Sequence, residues 1–424
     1  MEKKLYDNYV QILKEELVVA MGCTEPIAIA YAGAKAREIL GKKPDRVIIK
    51  CSGNIIKNAK CVTVPNTNGL IGIGASAITG ILAGDATKEL EAISVVDPKY
   101  LDEIANLVNT DYCTVCLLDT PISLHIIMEV YCGNDSASVE IKEAHTNITK
   151  IVKNKEVLFE QEESKDKYLG VFVDRSVLNV KDIYDFANTV NTDEIKYLLD
   201  SQIEKNLAIA KEGLKGTYGL GIGKVLLDSY SDDIAIKIKA HAAAASEARM
   251  SGSPMPVVTN SGSGNQGMTV SVPIIVYAQE KNIEKDKLYR ALVLSNLLAI
   301  HQKTLIGRLS AFCGVVSAAC ASGAAITYLS GGTLKQIEDT ITNTLANVSG
   351  IVCDGAKPAC GAKIASSLDG ALMGHHLAMA GQAYNPNTGI LKDDVEKTIN
   401  AVGRLGKDGM KQTDIEILNI MIDK

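Results

Sequence analysis

The stretch LSAFCGVVSAACASGAAITYLSGGTL, residues 309–334, contains no charged side chain and consists largely of alanine, serine and glycine. It is long enough to cross a bilayer, but a membrane-spanning helix normally contains more leucine, isoleucine and phenylalanine. The pair Gly331 and Gly332 also interrupts it. A helix that is apolar on all sides is typical of the centre of a folded protein. The stretch therefore predicts a central buried helix over residues 309–330, not a membrane span.

The composition of the whole chain agrees with an interior of small side chains. The 424 residues include no tryptophan and only four phenylalanines, so helices must pack closely through small aliphatic residues. The net charge is −6, with acidic and basic residues mixed along the chain. Because no basic face is visible, nucleic acid is not an expected partner. We expect a small organic substrate.

The chain opens with MEKKLYDN, which lacks the apolar core of a signal peptide. We therefore expect a cytoplasmic protein. In that compartment the ten cysteines are expected to be reduced thiols, core residues or metal ligands and not a disulfide framework.

The periodicity of the chain divides it into two kinds of region. Strand-like runs separated by turn residues are predicted at residues 46–51, 113–118, 124–131, 137–142 and 147–152. Helices are predicted at residues 3–20, 27–40, 192–212, 234–247, 284–302, 309–330, 334–348, 360–380 and 413–422. We expect an α+β fold in which residues 1–44 and 180–424 form a mostly helical lobe and residues 45–179 form an inserted α/β domain. The charged stretch 160–167 is the candidate boundary.

A cysteine lies in the short turn GCTEP, residues 22–26, between the first two predicted helices. The thiol of Cys23 would feel unpaired backbone N–H groups and the positive end of a helix dipole, which favour the thiolate. Cys23 is therefore a candidate base or nucleophile. The alternative is a small residue that fills a tight corner.

The clearest loop is NSGSGNQG, residues 260–267, which precedes an apolar stretch. Glycines allow close backbone approach, and N–H groups at a helix start can hold a carboxylate or a phosphate. The loop lacks the Gly-Lys-Ser/Thr ending of a nucleotide-binding loop. We favour binding of a substrate carboxylate, with a flexible turn as the alternative. The stretch VPNTNG, residues 64–69, is a weaker signal of the same kind and is also compatible with a structural turn.

Three cysteines in the last third of the chain, Cys313, Cys353 and Cys360, lie in nearly uncharged surroundings rich in glycine and alanine. An iron–sulfur cluster is normally held by four thiolates, so three would leave one iron open to substrate. Cys320 follows Cys313 by two helical turns and is a rival ligand. A tetrahedral zinc site is chemically possible as well.

Two other candidates carry less weight. Cys113 and Cys116 have the spacing of a redox or zinc pair, but alternation along a strand would place them on opposite faces, which favours core packing. Lys303 has no surrounding motif for pyridoxal phosphate, and we expect it to contact solvent or substrate.

Four motifs together resemble the L-cysteine desulfidase family, especially its archaeal members, over essentially the whole chain. They are GCTEP (22–26), SGSGNQG (261–267), FCG (312–314) and CDGAKPAC (353–360). The C-terminal half also resembles the catalytic domain of iron–sulfur L-serine dehydratases, and the α/β insert resembles their second domain.

The resemblance implies a [4Fe–4S] cluster on Cys313, Cys353 and Cys360 with one open iron, and Cys23 as the base. The implied reaction is non-redox β-elimination of L-cysteine with water to sulfide, ammonia and pyruvate; L-serine dehydration is the alternative, and a zinc or metal-free binding protein is a rival of another class. A homodimer is expected. The candidate substrate-binding residues are Thr24, Asn66, Ser261, Asn265 and Gln266.

Overall fold

The computed structural model describes residues 2–161 and 173–423. The strands are β1 (Val19–Met21), β2 (Arg46–Cys51), β3 (Cys113–Leu117), β4 (His125–Cys132), β5 (Asp135–Lys142), β6 (Ile148–Lys153), β7 (Glu156–Glu160) and β8 (Pro256–Val258). The fold is α+β, as predicted. Most of the candidate boundary at 160–167 lies outside the described residues.

The helices occur before, between and after these strands. They are α1 (Lys3–Glu16), α2 (Thr24–Leu40), α3 (Gly53–Ala59), α4 (Gly72–Ala83), α5 (Leu101–Val108), α6 (Val180–Thr189), α7 (Lys196–Gly213), α8 (Ile222–Ser229), α9 (Ile234–Met250), α10 (Gly264–Glu280), α11 (Lys285–Ile306), α12 (Gly314–Leu329), α13 (Leu334–Asn347), α14 (Cys360–Met379), α15 (Val395–Arg404) and α16 (Lys411–Met421).

The larger sheet has six strands in the order β3-β2-β4-β5-β6-β7. Strands β2 and β3 are parallel, and the other neighbours are antiparallel. The period-2 pattern of β4 and β5 directs alternate side chains, such as Met128 and Val139, into a buried layer. Helices α2 and α4 cover this layer through Ile29 and Ile78 among others. Helix α2, which the sequence pattern placed with the helical lobe, therefore packs on the sheet; the domain limits stay a prediction.

Helix α12 lies at the centre of the helical lobe. Its Ala318, Ala321 and Ala325 belong to a core shared with α1, α10, α11 and α13. Its Val315 and Ile326 face a second core formed with α9, α10 and α14. Both faces of the helix are thus buried, which confirms the prediction of a central helix. Within residues 2–161 and 173–423, no helix combines the length and apolarity needed to cross a membrane.

A small antiparallel pair, β1 with β8, joins the start of the chain to the loop before α10. This long-range pairing ends α1 at Glu16, although the local pattern predicted a helix to residue 20. As a result, the GCTEP turn and the loop at residues 260–263 become neighbours. The pairing brings the two sequence segments of the predicted helical lobe, 1–44 and 180–424, to one place, which is where the candidate site lies.

Candidate active site

A cavity of about 90 Å³ lies where the sheet layer meets the helical lobe. Four helices, α2, α10, α12 and α14, begin at its wall. Their unpaired N–H groups give the cavity a positive electrostatic character. The lining includes most of the predicted site residues: Cys23, Thr24, Ser261, Asn265, Gln266, Cys313, Cys353 and Cys360.

The thiols of the C-terminal third are held by backbone geometry. The N–H of Cys313 donates to the carbonyl of Ile351 at 2.9 Å, and the N–H of Cys353 donates to the carbonyl of Ala311 at 2.7 Å. These bonds flank a short antiparallel bridge between Phe312 and Val352 and place the two cysteines on the same face of it. Cys360 reaches the cavity as the first residue of α14. The structure therefore brings all three predicted ligands to one cavity.

Buried cations accompany these thiols. A hydrogen bond from Cys313 and the ammonium of Lys57 lower the pKa of Cys353, although burial opposes them. The same hydrogen bond, together with burial, raises the pKa of Cys313. Lys303 lines the cavity and is only 4 % exposed, so it is not a solvated lysine. Burial lowers the pKa of Lys303 to about 8, against the opposing effect of the neighbouring thiols.

Cys320, the rival ligand, lies elsewhere. It is two turns along α12 from Cys313, a rise of about 10 Å, and its Sγ faces the carbonyl of Ile341 in the core against α13. Among the described residues, no group of three His, Cys, Asp or Glu side chains is arranged to hold a single ion. A cluster differs from a single ion because each thiolate binds a different iron, so its ligands need not converge on one point.

Cys23 is the N-cap residue of α2 and is 3 % exposed. The preceding Gly22 has φ +57° and lies so close to Pro65 that a Cβ there would be 2.4 Å from the Pro65 ring. The loop at residues 64–69 therefore supports the turn that carries Cys23. The Sγ of Cys23 donates to Oε2 of Glu25 at 3.1 Å.

The acidity of Cys23 differs from the expectation. Burial and the charge of Glu25 raise the pKa of the thiol well above its ordinary value, and Arg249 lowers it only in part. The helix start is present as predicted, but it does not produce a thiolate by itself. Burial also acts to raise the pKa of Glu25, but His145 and the Cys23 thiol outweigh it and hold that pKa at about 2. The resting pair is therefore a thiol beside an ionised carboxylate.

Glu25 is the centre of a hydrogen-bonded group. Asn58 Nδ2 donates to its Oε1 at 3.0 Å, and His145 Nε2 lies 3.9 Å from the same oxygen. The hydroxyl of Thr24 lies 3.2 Å from Oε2 and 3.0 Å from the carbonyl of Gly262, so it ties this group to the glycine-rich loop.

The polar residues of the glycine-rich loop and of the first turn of α10 differ in their hydrogen-bond partners. Ser263 caps α10 through the N–H of Gln266 at 3.4 Å. The Ser261 hydroxyl donates to Oδ1 of its neighbour Asn260, and Asn265 Oδ1 accepts from Arg249 Nη1. Gln266 is buried and lines the cavity.

Asn66, the remaining predicted contact, is not among the residues that line the cavity. Its amide donates to the carbonyls of Ile93 and Ser94 at 2.9 and 3.1 Å. Asn66 has φ +60°, which suits a tight turn. We therefore correct its role from substrate contact to support of the 64–69 loop.

The sequence analysis missed several lining residues, and the buried, charged or titratable Glu25, His145 and Arg249 matter most among them. The residues next to Glu25 and His145 in the sequence do not distinguish these two side chains from ordinary polar residues. Arg249 had a usable signal, because it and Glu247 interrupt the otherwise uncharged run 240–250 near the end of α9. The predicted helix ended at residue 247, just before this arginine.

A larger cavity of about 630 Å³ lies next to this one, between the loop after β3 and the segment around α16. It shares Leu309 and Ser310 with the smaller cavity, but no cysteine lines it. We place the chemistry in the smaller cavity because the thiols are there.

The sequence matches a family model described as serine dehydratase alpha chain over residues 127–419. The chain belongs to this family. UPF0597 proteins also match along the whole length: one from Lachnoclostridium phytofermentans is 52 % identical over 99 % of this chain and 100 % of its own. One from Treponema denticola is 50 % identical over 100 % of this chain and 99 % of its own. One from Porphyromonas gingivalis is 36 % identical over all of both chains.

The serine dehydratase match covers only part of the cavity wall. Residues 127–419 include Cys313, Cys353, Cys360 and Arg249, but not Cys23. The full-length UPF0597 relatives cover both parts. The family membership supports a lyase of the serine dehydratase type.

Proposed function

We propose that the protein is an L-cysteine desulfidase, a carbon–sulfur lyase that converts L-cysteine and water to sulfide, ammonia and pyruvate. The observation that carries the proposal is that Cys23, Cys313, Cys353 and Cys360, although distant in sequence, line one small cavity. Three of these thiols come from the family-matched region, and the fourth comes from the start of α2.

The donor set fits a [4Fe–4S] cluster. Three buried or half-buried thiols come from two helix starts and one loop, and Lys57 and Lys303 place positive charge near them. Cys313, Cys353 and Cys360 would hold such a cluster. When bound, it would supply an open, Lewis-acidic iron that makes sulfide a better leaving group.

Cys23 is the proposed base. Glu25 Oε2 accepts a hydrogen bond from the thiol and orients it. With a pKa of about 2, this carboxylate does not take the proton. The thiolate therefore forms by loss of the proton to solvent, which the charge of Arg249 favours. A thiolate with a raised pKa is a strong base once formed, which suits removal of the weakly acidic Cα proton.

The elimination then balances without an oxidant or reductant. The Cα–H electron pair forms the carbon–carbon double bond while the Cβ–S bond breaks and sulfide leaves. The 2-aminoacrylate product tautomerises and is hydrolysed by water to ammonia and pyruvate. The protein has to catalyse only the first of these stages.

L-Serine dehydration is the second candidate, favoured by the description of the matching family model. The same base would remove the same proton, and hydroxide would leave in place of sulfide. The ratio of kcat/KM for L-cysteine and L-serine separates the two candidates.

The test starts with protein purified without oxygen. Iron and acid-labile sulfide are measured per chain, and sulfide and pyruvate are then measured after addition of either amino acid. About four of each per chain with sulfide release supports the desulfidase, whereas pyruvate from serine alone supports the dehydratase. Absence of iron after anaerobic reconstitution would contradict both and favour a zinc or metal-free binding protein. The homodimer remains a proposal, which sedimentation can test.

A further inference from the structure

Arg249 is a buried arginine whose hydrogen-bonding capacity is mostly unused. It is 1 % exposed, and its Nη1 donates to Asn265 Oδ1 at 3.2 Å. In the part of the chain that the structure describes, its Nε and Nη2 atoms have no hydrogen-bond partner. A guanidinium is always charged and offers planar donors that match a carboxylate. Buried donors without partners indicate that a ligand completes the site.

The fold makes room for this guanidinium at the cavity wall. A Cβ on Gly264 would lie 2.4 Å from Arg249 Nε, so only glycine allows the side chain to rest on the first turn of α10. The N–H groups at that helix start favour the same kind of ligand, an anion. Two independent features therefore point to a negative group at this wall.

An unused acceptor lies on the neighbouring surface of the cavity. Gln266 is 5 % exposed, and its Oε1 has no hydrogen-bond partner among the described residues. A Cβ on Gly314 would lie 2.5 Å from this oxygen, which places the Gln266 amide next to Cys313. The lining of one cavity thus offers both unpaired N–H donors and an unpaired acceptor.

The charged groups that the structure describes around Arg249 do not pair with its guanidinium, which therefore stays available to a ligand. Glu25 has its recorded ion pair with His145, at 3.9 Å, and within residues 2–161 and 173–423 no carboxylate lies within 4.0 Å of the guanidinium. Cys23, Glu25 and Cys360 are close enough to interact with it electrostatically, but their described hydrogen bonds go to other groups.

We propose that Arg249 binds the carboxylate of a zwitterionic α-amino acid and that the Gln266 side chain accepts a hydrogen bond from its ammonium group. The identity of the amino acid side chain rests on the proposed function, but the recognition of the α-carbon substituents does not. This assignment moves the main carboxylate contact from the glycine-rich loop, which the sequence favoured, to the end of α9.

The test measures binding to the iron-loaded protein by calorimetry with three probes. L-Alanine keeps both α-carbon substituents and has no leaving group, ethylamine lacks the carboxylate, and propionate lacks the ammonium. We expect L-alanine to bind about 10- to 100-fold more tightly than either. Equal binding of L-alanine and ethylamine by the unmodified protein would overturn the proposal without any variant.

Variants then locate the carboxylate contact. We expect Arg249→Met to weaken L-alanine binding about 10- to 100-fold and to bring the L-alanine to ethylamine ratio close to one, with Arg249→Lys between the two. If Arg249 had only a structural role, Arg249→Met would weaken the binding of L-alanine and of ethylamine equally. Arg290→Met on α11, which removes an arginine paired with Asp286 away from the cavity, is the matched control. A folded Arg249→Met protein with an unchanged probe ratio would overturn the proposal.

The outcomes separate this proposal from the proposed function. Arg249-dependent binding of L-alanine without sulfide release from L-cysteine would keep the binding site and reject the desulfidase. Sulfide release with an unchanged KM in Arg249→Lys and Arg249→Met would keep the desulfidase and reject the binding site. Gln266→Met should weaken L-alanine more than propionate, because only L-alanine carries the ammonium group.

Discussion

The two walls of the cavity are built in different ways. The thiol wall, Cys313, Cys353 and Cys360, belongs entirely to the helical lobe and is fixed by helix starts and a backbone bridge. The acid–base wall, Cys23, Glu25 and His145, comes from α2 and from the loop between β5 and β6, and is fixed by side-chain hydrogen bonds and an ion pair. The proposed binding of a cluster and the proposed movement of the proton are thus assigned to separate walls, so mutations can separate them.

The largest expected effect comes from the thiol wall. Cys353→Ala should lose both the iron and the activity, because its thiolate cannot be replaced by a neighbouring one; the loss of turnover should be at least about 1000-fold. Iron content and sulfide release on the same sample check this.

Cys320→Ala is the matched control, since that thiol lies in the core against α13. It should keep both the iron and the turnover. Iron retained at full level in Cys353→Ala would contradict the assignment of the thiol wall.

The next effect comes from the acid–base wall. Cys23→Ala should keep its cluster absorbance and lose about 100- to 10,000-fold in turnover, the range of general base catalysis. Visible absorbance and sulfide release are measured together. Cys61→Ala, at an exposed cysteine, should change neither. Near-normal sulfide release from Cys23→Ala would show that another group is the base.

A smaller effect is expected from the group that holds Cys23. Glu25→Gln keeps the shape of the side chain but removes the charged acceptor of the thiol hydrogen, and kcat should fall about 10- to 100-fold with iron retained. Steady-state kinetics on L-cysteine give the comparison. Loss of iron in this variant would mean that the two walls are not independent.

The last prediction concerns stability at acid pH and not turnover. The pKa of Glu25 is about 2 in the fold and 4.5 as its ordinary value. The stabilisation from its ionised form is therefore complete above pH 4.5 and is lost as the pH falls toward 2, on the order of 3 kcal/mol.

Glu25→Gln should lack this part of the acid sensitivity. Circular dichroism during acid titration of the iron-free protein, with Glu38→Gln at a surface ion pair as control, measures the difference. If Glu25→Gln had the same midpoint of acid unfolding as the unmodified protein, this would contradict a stabilising interaction of ionised Glu25 with its buried neighbours.

The sequence predicted the sheet better than the helices around the site. Strands β2 to β6 follow their predicted limits to within two residues, because alternation and turn residues are local signals. Helices α4 and α10 were missed since glycine-rich starts resemble loops, and α10 also contains Pro273. Strand β7 is exposed along its whole length in a hairpin with β6, so it lacks the alternation of a half-buried strand. The end of α1 depends on the pairing of β1 with the distant β8, which a local pattern does not contain.

The site was predictable where residue type was distinctive. The four cysteines were identified because thiols in such surroundings are unusual and the motifs resemble a known family, and the structure places them together. Glu25 and His145 carry no local signature, since their roles arise from a contact between residues far apart in the chain, and the local signal of Arg249 was not used. The raised pKa of Cys23 could not be predicted either, because it depends on burial and on the orientation of Glu25.

The backbone bridge between residues 311–313 and 351–353 has a consequence for maturation. It sets two of the three proposed ligands in place through main-chain hydrogen bonds, which need no metal. If the proposed cluster is bound, this part of its site can therefore form before the cluster arrives, unlike small domains whose folding is driven by metal binding. Delivery of the proposed cluster would then be a docking event at a site whose two strands are already joined.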